Sequence, residues 1–138
     1  MFKDSEAAER AFYQAIEHSD LTVMTALWET SADCICIHPF AAVLQGFEQI
    51  LGSWRQIFAS EVQLKFQIDP LSRCIQSDLA IHTLHEHITV IGADNQPQPL
   101  VATNIYRRSE QGWQMLMHHA SPAAGGSVTR PPATHQFH

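Results

Sequence analysis

The apolar residues of this chain change their period once, at Glu61, and that change limits it to folds in which helices come first and strands follow. Before it, Phe47, Ile50, Leu51, Trp54, Ile57 and Phe58 recur at helical spacing, making a broad apolar face that has to lie against something large. After it, Val62, Leu64, Phe66 and Ile68 alternate with Gln63, Lys65 and Gln67, the signature of a half-buried strand. A sheet is the natural surface for the aromatic helix.

Two helices are expected ahead of it, the second the shorter. Asp4 can cap the first, with Glu6 in its first turn, and Ala8, Ala11, Phe12, Ala15 and Ile16 share one buried face. Asp20 caps the second, whose Leu21, Met24, Leu27 and Trp28 fall on one side before Thr30-Ser31-Ala32-Asp33 breaks the pattern. Cys34 to His38 is β-compatible, and Pro39 ends it because proline has no amide hydrogen to offer a ladder. Beyond the alternating strand, Asp69-Pro70 bends or breaks the chain. Further strands are expected at Leu79 to Ile91, Leu100 to Arg108 and Trp113 to Ser121, joined by turns around Gly92-Ala93-Asp94-Asn95 and Ser109-Glu110-Gln111-Gly112. Short turns between successive strands imply an antiparallel meander, and the absence of βαβ alternation gives α+β architecture. From Ala123 to His138 the chain is rich in breakers and lacks either period, so residues 1–122 read as one folded domain and 123–138 as a flexible tail from which Phe137 can dock on the body or a partner.

Composition removes several functional classes. An apolar fraction of 45% and a charged fraction of 16% belong to a globular domain with its own core. No apolar run approaches the roughly 18 residues of a membrane span, and Met1 to Glu6 has neither a basic start nor a hydrophobic stretch, so neither a membrane partner nor an export leader is expected. Cys34, Cys36 and Cys74 form no disulfide framework and read as small apolar side chains in a reducing, cytoplasmic setting. A net charge of −6 with eight basic residues argues against nucleic acid, whose binding relies on Lys and Arg neutralising phosphates. No Ser or Cys lies in a Gly-flanked elbow, and Gly125-Gly126 follows the fold instead of opening a helix, so neither a nucleophile nor a phosphate loop is indicated. No cofactor is expected.

Several local patterns occur in a telling order: Ile37-His38-Pro39, the Gly46 helix carrying Trp54, Ala102-Thr103-Asn104-Ile105-Tyr106, and Gly112-Trp113 running into His118-His119-Ala120-Ser121-Pro122. Together they resemble SnoaL-like domains of the nuclear transport factor 2-like superfamily over residues 4 to 122. The resemblance implies a cone-shaped α+β roll, with three N-terminal helices packed on the concave face of a strongly curved, mainly antiparallel sheet, and a homodimer formed through the opposite face. Ketosteroid isomerase, polyketide cyclases, dehydratases, transport adaptors and the kinase association domain share this scaffold, so the fold alone selects no function.

Within that frame the ionisable and amide residues are weighed singly. His38 stands at a strand end before Pro39, where imidazole serves either as a general acid or base at a cavity mouth or as a hydrogen-bonded loop residue. Asn104 lies among apolar and aromatic positions that give no packing reason for a primary amide, so it is expected to face a pocket and orient a carbonyl, the alternative being that it satisfies neighbouring backbone or faces water. Pairing about the Ser109 to Gly112 turn brings Asn104 near Met117 and His118, and Ala102 near His119, within one residue of register. Alternation from Trp113 through Met115 and Met117 places His119 on the Trp113 face and His118 on the other: with that face concave, His119 is the pocket residue and His118 a dimer contact, while a shift of one residue in register makes His118 the ligand-binding one. Glu86 alternates with Leu84 and Ile88, apolar company that suggests an inward carboxylate with a raised pKa, or one paired to a neighbouring cation. Trp54, Phe58, Tyr106, Met115 and Met117 are expected as cavity walls, each equally at home in ordinary core.

His85 and His87 point to one face about 7 Å apart, a spacing used by metal sites, with His82 or His118 as a third ligand. An exposed polar sheet face or a titratable interface patch explains them better, and no metal is assigned. The expectation is a homodimeric pocket protein for a small, apolar, carbonyl-bearing molecule. His38, Glu86 and His119 are its proton-handling candidates, and a non-catalytic binding or dimerisation module is the alternative.

Overall fold

A computed structural model describes residues 1–124. The tail expectation therefore lies, beyond Ala123 and Ala124, outside the described residues. Helix α1 (Ser5–Glu17) starts where Asp4 accepts a hydrogen bond from the Ala7 amide at 2.7 Å, and α2 (Leu21–Leu27) where Asp20 accepts one from the Val23 amide at 3.1 Å. Strands β1 (Ile35–Ile37) and β2 (Leu44–Gln45) precede α3 (Phe47–Ala59), and β3 (Leu64–Ile75), β4 (Leu79–Val90), β5 (Leu100–Ser109) and β6 (Gly112–Pro122) follow it. The single change of period thus marks the passage from helices to the long strands.

The strands form one sheet in the order β2-β1-β6-β5-β4-β3. Its four long strands are an antiparallel meander. Short β1 runs parallel to β6, a pairing that no local turn announces in the sequence. Pro70 does not end β3: that strand lies at the sheet edge, where a missing amide costs no ladder bond, and the register shifts between Pro70 and Ser72. At the β5–β6 hairpin Gly112 has φ +83° and receives the N-terminus, because a side chain there would meet Phe2 O at 2.8 Å while the Trp113 amide donates to that same oxygen.

Three helices cover one face of the sheet in a cone-shaped α+β roll. Phe12, Tyr13, Ala15 and Ile16 of α1 and Ile50, Leu51 and Trp54 of α3 are buried against Leu84, Ala102, Tyr106, Met115 and Ala120. Truncating a ring such as Phe12, wholly enclosed, costs about 3–5 kcal/mol. Cys34 and Cys36 are fully buried and unbridged, the small apolar role expected of them.

The alternation of β6 is interrupted at one residue. Ile105 faces Met117 and Tyr106 faces Met115, so Leu116 is an extra residue, a β-bulge. Trp113 and Met115 point to the helices before it, and His118 and Ala120 after it.

Candidate functional site

Below the helices, a cavity of about 150 Å³ opens between α1, α3 and the sheet. Its walls are mainly apolar, among them Trp54, Ile57, Leu64, Phe66 and Ile88, and its polar members are His38, Glu86 and His118. Hollows of about 430 and 320 Å³ lie elsewhere, along Thr30 to Gln49 and between α1 and α2, but they gather no comparable set of buried ionisable groups.

Glu86 comes to the wall because β4 alternates His82, Leu84 and Glu86 toward the helices. It is 3% exposed. Tyr13 of α1 donates its phenol hydrogen to Glu86 Oε2 at 2.6 Å, and the Tyr13 oxygen accepts from Asn104 Nδ2 at 2.9 Å. Asn104 Oδ1 in turn accepts from His118 Nδ1 at 2.6 Å. An amide oxygen can only accept, so this chain of bonds sets His118 in the Nδ1–H tautomer and leaves Nε2 with a lone pair.

Burial raises the Glu86 carboxyl to about 7, even though the Tyr13 hydrogen bond acts in the opposite direction. The Tyr13 phenol is itself pushed well above 10 by burial and by the nearby Glu86 charge, so it stays a donor at any working pH. Burial, with the His38 and His119 charges adding to it, depresses His118 to about 3, so its imidazole is neutral. His38 is also lowered by burial. Its Nε2 pairs with Ser53 Oγ of α3 at 2.8 Å, and its ring meets Trp54 edge-on at 4.9 Å between centroids. His38 thus stands in the cavity wall, and its hydrogen bond reaches helix α3 instead of staying within a loop.

The structure brings together His38, Trp54, Glu86 and His118 of the expected site residues. Asn104 is wholly enclosed and lies outside the cavity wall, and its amide engages His118 and Tyr13, so it orients those side chains and does not face a ligand carbonyl. His119 is corrected: the bulge at Leu116 reverses the alternation, so His119 lies exposed on the outer face opposite Thr103 and His118 takes the inner position. Met117 is corrected for the same reason. It pairs with Ile105 on the outer face. Met115 and Tyr106 are fully buried in the core away from the cavity wall, Tyr106 with its ring 4.9 Å from His82, and Phe58 packs behind Trp54 at 5.8 Å.

Sequence reasoning missed Tyr13. Its signal is the spacing of Glu9, Tyr13 and Ile16, which extends the buried face of α1 by one further row. It also missed a second buried polar cluster. His82 Nδ1 pairs with Glu9 Oε1 at 2.8 Å and His82 Nε2 with Ser5 Oγ at 2.9 Å, while Arg73 reaches Glu9 Oε2 at 2.7 Å. Burial alone would raise Glu9, but His82 and Arg73 outweigh it and hold the carboxyl low. Ser5 is 2% exposed, closed to a substrate, so the Ser-His-Glu order here clamps the start of α1 to β4.

His85 and His87 lie on the outer face with ring centroids 6.2 Å apart, and His87 pairs with Asp69 at 2.8 Å. Among the described residues no three His, Cys, Asp or Glu side chains converge to hold a metal. Nor, among those residues, is any helix long and apolar enough to cross a membrane.

Comparison with known proteins adds the following. The family model of the SnoaL-like domain matches residues 6–125. A Thiobacillus denitrificans protein, provisionally named a calcium/calmodulin-dependent protein kinase type II association domain, is 36% identical, with a TM-score of 0.82 over 89% of this chain and 98% of its own. A Streptomyces avermitilis protein of the nuclear transport factor 2-like family, provisionally named a dehydratase, is 33% identical, with a TM-score of 0.80 over 88% of this chain and 94% of its own. F-box protein SKIP8 of Arabidopsis thaliana is 28% identical over 110 residues, which are 80% of this chain and 46% of that protein. The chain thus spans less than half the length of that curated relative.

Proposed function

The chain belongs to the SnoaL-like domain family of the nuclear transport factor 2-like superfamily, and from that premise we propose that its cavity performs acid/base chemistry on a small, largely apolar carbonyl compound. The observation that carries this reading is Glu86, a carboxyl poised at about 7 in the wall of an apolar cavity and held by the Tyr13 phenol. Ionised, it takes a proton from the carbon beside a carbonyl. The C–H electron pair moves into the new C=C bond and the carbonyl becomes an enolate oxyanion. Protonated Glu86 then returns the proton to the same or a conjugated carbon, which is exchange or isomerisation. If a hydroxyl leaves from the β carbon instead, that proton completes the water released, a dehydration of the kind named for the Streptomyces avermitilis relative. Neutral His118 and His38 border the same space as hydrogen-bonding groups.

The experiment is proton exchange. Cyclohexanone in D₂O at pH 7 to 8 should lose its α-hydrogen signals faster with the protein than without it, and Glu86→Gln should abolish the acceleration. Exchange unaffected by the wild-type protein for cyclohexanone and a set of small cyclic and aryl ketones would remove the catalytic reading.

We further infer that the macromolecular partner is a second copy of this chain, seated on the outer face of the sheet. The paired register aligns Cys74, Ile81, Ile105, Met117 and Ile35 in an apolar row across the strands, with Thr83, Thr103 and His119 in the next. A non-catalytic module is favoured by one observation: the relative named as an association domain shares more than a third of its residues with this chain.

A further inference from the structure

Three buried donors in the described chain have no hydrogen-bond partner: Trp28 Nε1, Trp54 Nε1 and Tyr106 Oη. Leaving such a group unpaired costs about 1–3 kcal/mol, so each calls for a reason. Trp28 and Tyr106 are wholly enclosed, and neither belongs to the cavity wall. Trp54 does belong to it. The indole is 3% exposed, with Phe12 and Phe58 at 5.6 and 5.8 Å on its flanks, so its position is fixed by packing.

Three other donors near the cavity are committed. Tyr13 spends its hydrogen on Glu86 and Asn104 gives its amide hydrogen to Tyr13, while His118 gives its Nδ1 hydrogen to Asn104. His38 Nε2 pairs with Ser53 Oγ, and with Nε2 as the donor its Nδ1 carries no hydrogen. An enolate formed beside Glu86 needs a donor at its oxygen, and a water-poor cavity makes one such bond worth far more than it is in water.

We propose that the Trp54 indole N–H is the donor that receives the ligand's oxygen, so that the cavity selects a compact apolar molecule with one carbonyl acceptor. This rests on the acid/base reading of the same cavity. It moves the carbonyl-holding role from Asn104 to Trp54. A hollow of about 150 Å³ takes a ring of roughly benzene size, so the ligand class is a cyclic ketone or a compact enone with its oxygen toward α3 and its acidic carbon toward β4.

The test compares cyclohexanone with methylenecyclohexane, which has nearly the same shape and no acceptor, against the full chain with ¹⁵N-labelled indoles. Cyclohexanone should move the Trp54 indole proton downfield in a saturable way, and methylenecyclohexane should not. The Trp28 indole, equally unpartnered but outside the cavity, should stay in place with both. Trp54→Phe should weaken cyclohexanone about fivefold to tenfold, and methylenecyclohexane by less than about twofold. Glu86→Gln should keep the indole shift while losing proton exchange. If cyclohexanone binds and exchanges with the Trp54 resonance unmoved and Trp54→Phe without effect, the donor assignment is wrong and the cavity reading survives. Saturable binding of neither compound would overturn both.

Discussion

Tyr13 and Glu86 stand 73 residues apart in the chain, and the phenol of one donates to the carboxylate of the other across 2.6 Å. The bond ties α1 to β4 inside the core and at the same time lowers the proton affinity that burial gives the Glu86 carboxyl. Replacing Tyr13 by Phe removes the donor from Glu86 and the acceptor from Asn104 Nδ2 together. We expect a loss of about 1–3 kcal/mol in urea unfolding at neutral pH and a Glu86 titration moved further upward, because the Tyr13 bond is what opposes burial. Unchanged stability together with an unchanged midpoint would show that the bond is not made in solution.

Glu86 also makes the fold pH-dependent in a stated direction. Its folded pKa of about 7 lies above the ordinary 4.5, so between those values the native state binds more protons than the unfolded one. The carboxyl's contribution to stability is present below about 4.5 and is lost as pH rises through about 7, a change of up to about 3 kcal/mol. Glu86→Gln should flatten this fall and melt higher than the wild type at pH 8. A variant that melts lower at pH 8 while matching it at pH 5 contradicts the account.

His118 works in the opposite sense. Its pKa is depressed to about 3, so the unfolded chain binds its proton first and stability falls as pH drops below about 6.5. Asn104→Leu removes the amide and leaves the His118 Nδ1 hydrogen and the Tyr13 oxygen without it, and is expected to cost about 2–4 kcal/mol. The His118 ring should then lose its fixed tautomer, visible in its ¹⁵N shifts.

The outer face carries its own prediction. Ile81 is 36% exposed in the row with Ile105 and Met117. Ile81→Lys and Met117→Lys should each convert a dimer to a monomer in light scattering without lowering the helix signal. A wild-type monomer at micromolar concentration would contradict the proposed partner.

Much of the scaffold was legible because it follows from local periods. The Asp4 and Asp20 caps, the aromatic face of α3 and, from Leu64 on, the strand alternation all reappear in place, while Val62 lies exposed ahead of the strand. Asn104 was legible as well, since an amide among apolar neighbours has to find partners. The choice between His118 and His119 was not, because one extra residue at Leu116 inverts every side chain after it and carries no signature such as glycine. Tyr13 was hidden because a tyrosine on a helical apolar face reads as packing until the strand opposite is known to present a carboxylate. The β1–β6 pairing depends on residues some 80 positions apart, beyond any local pattern.

The central claim, a carboxyl kept near neutrality inside an apolar hollow, is tested most directly by titrating the Glu86 side-chain carbon in ¹³C NMR, with the resonance assigned from Glu86→Gln. The account predicts a midpoint of about 7 in the ligand-free protein. A midpoint near 4.5, the ordinary value for a solvated glutamate, would contradict it.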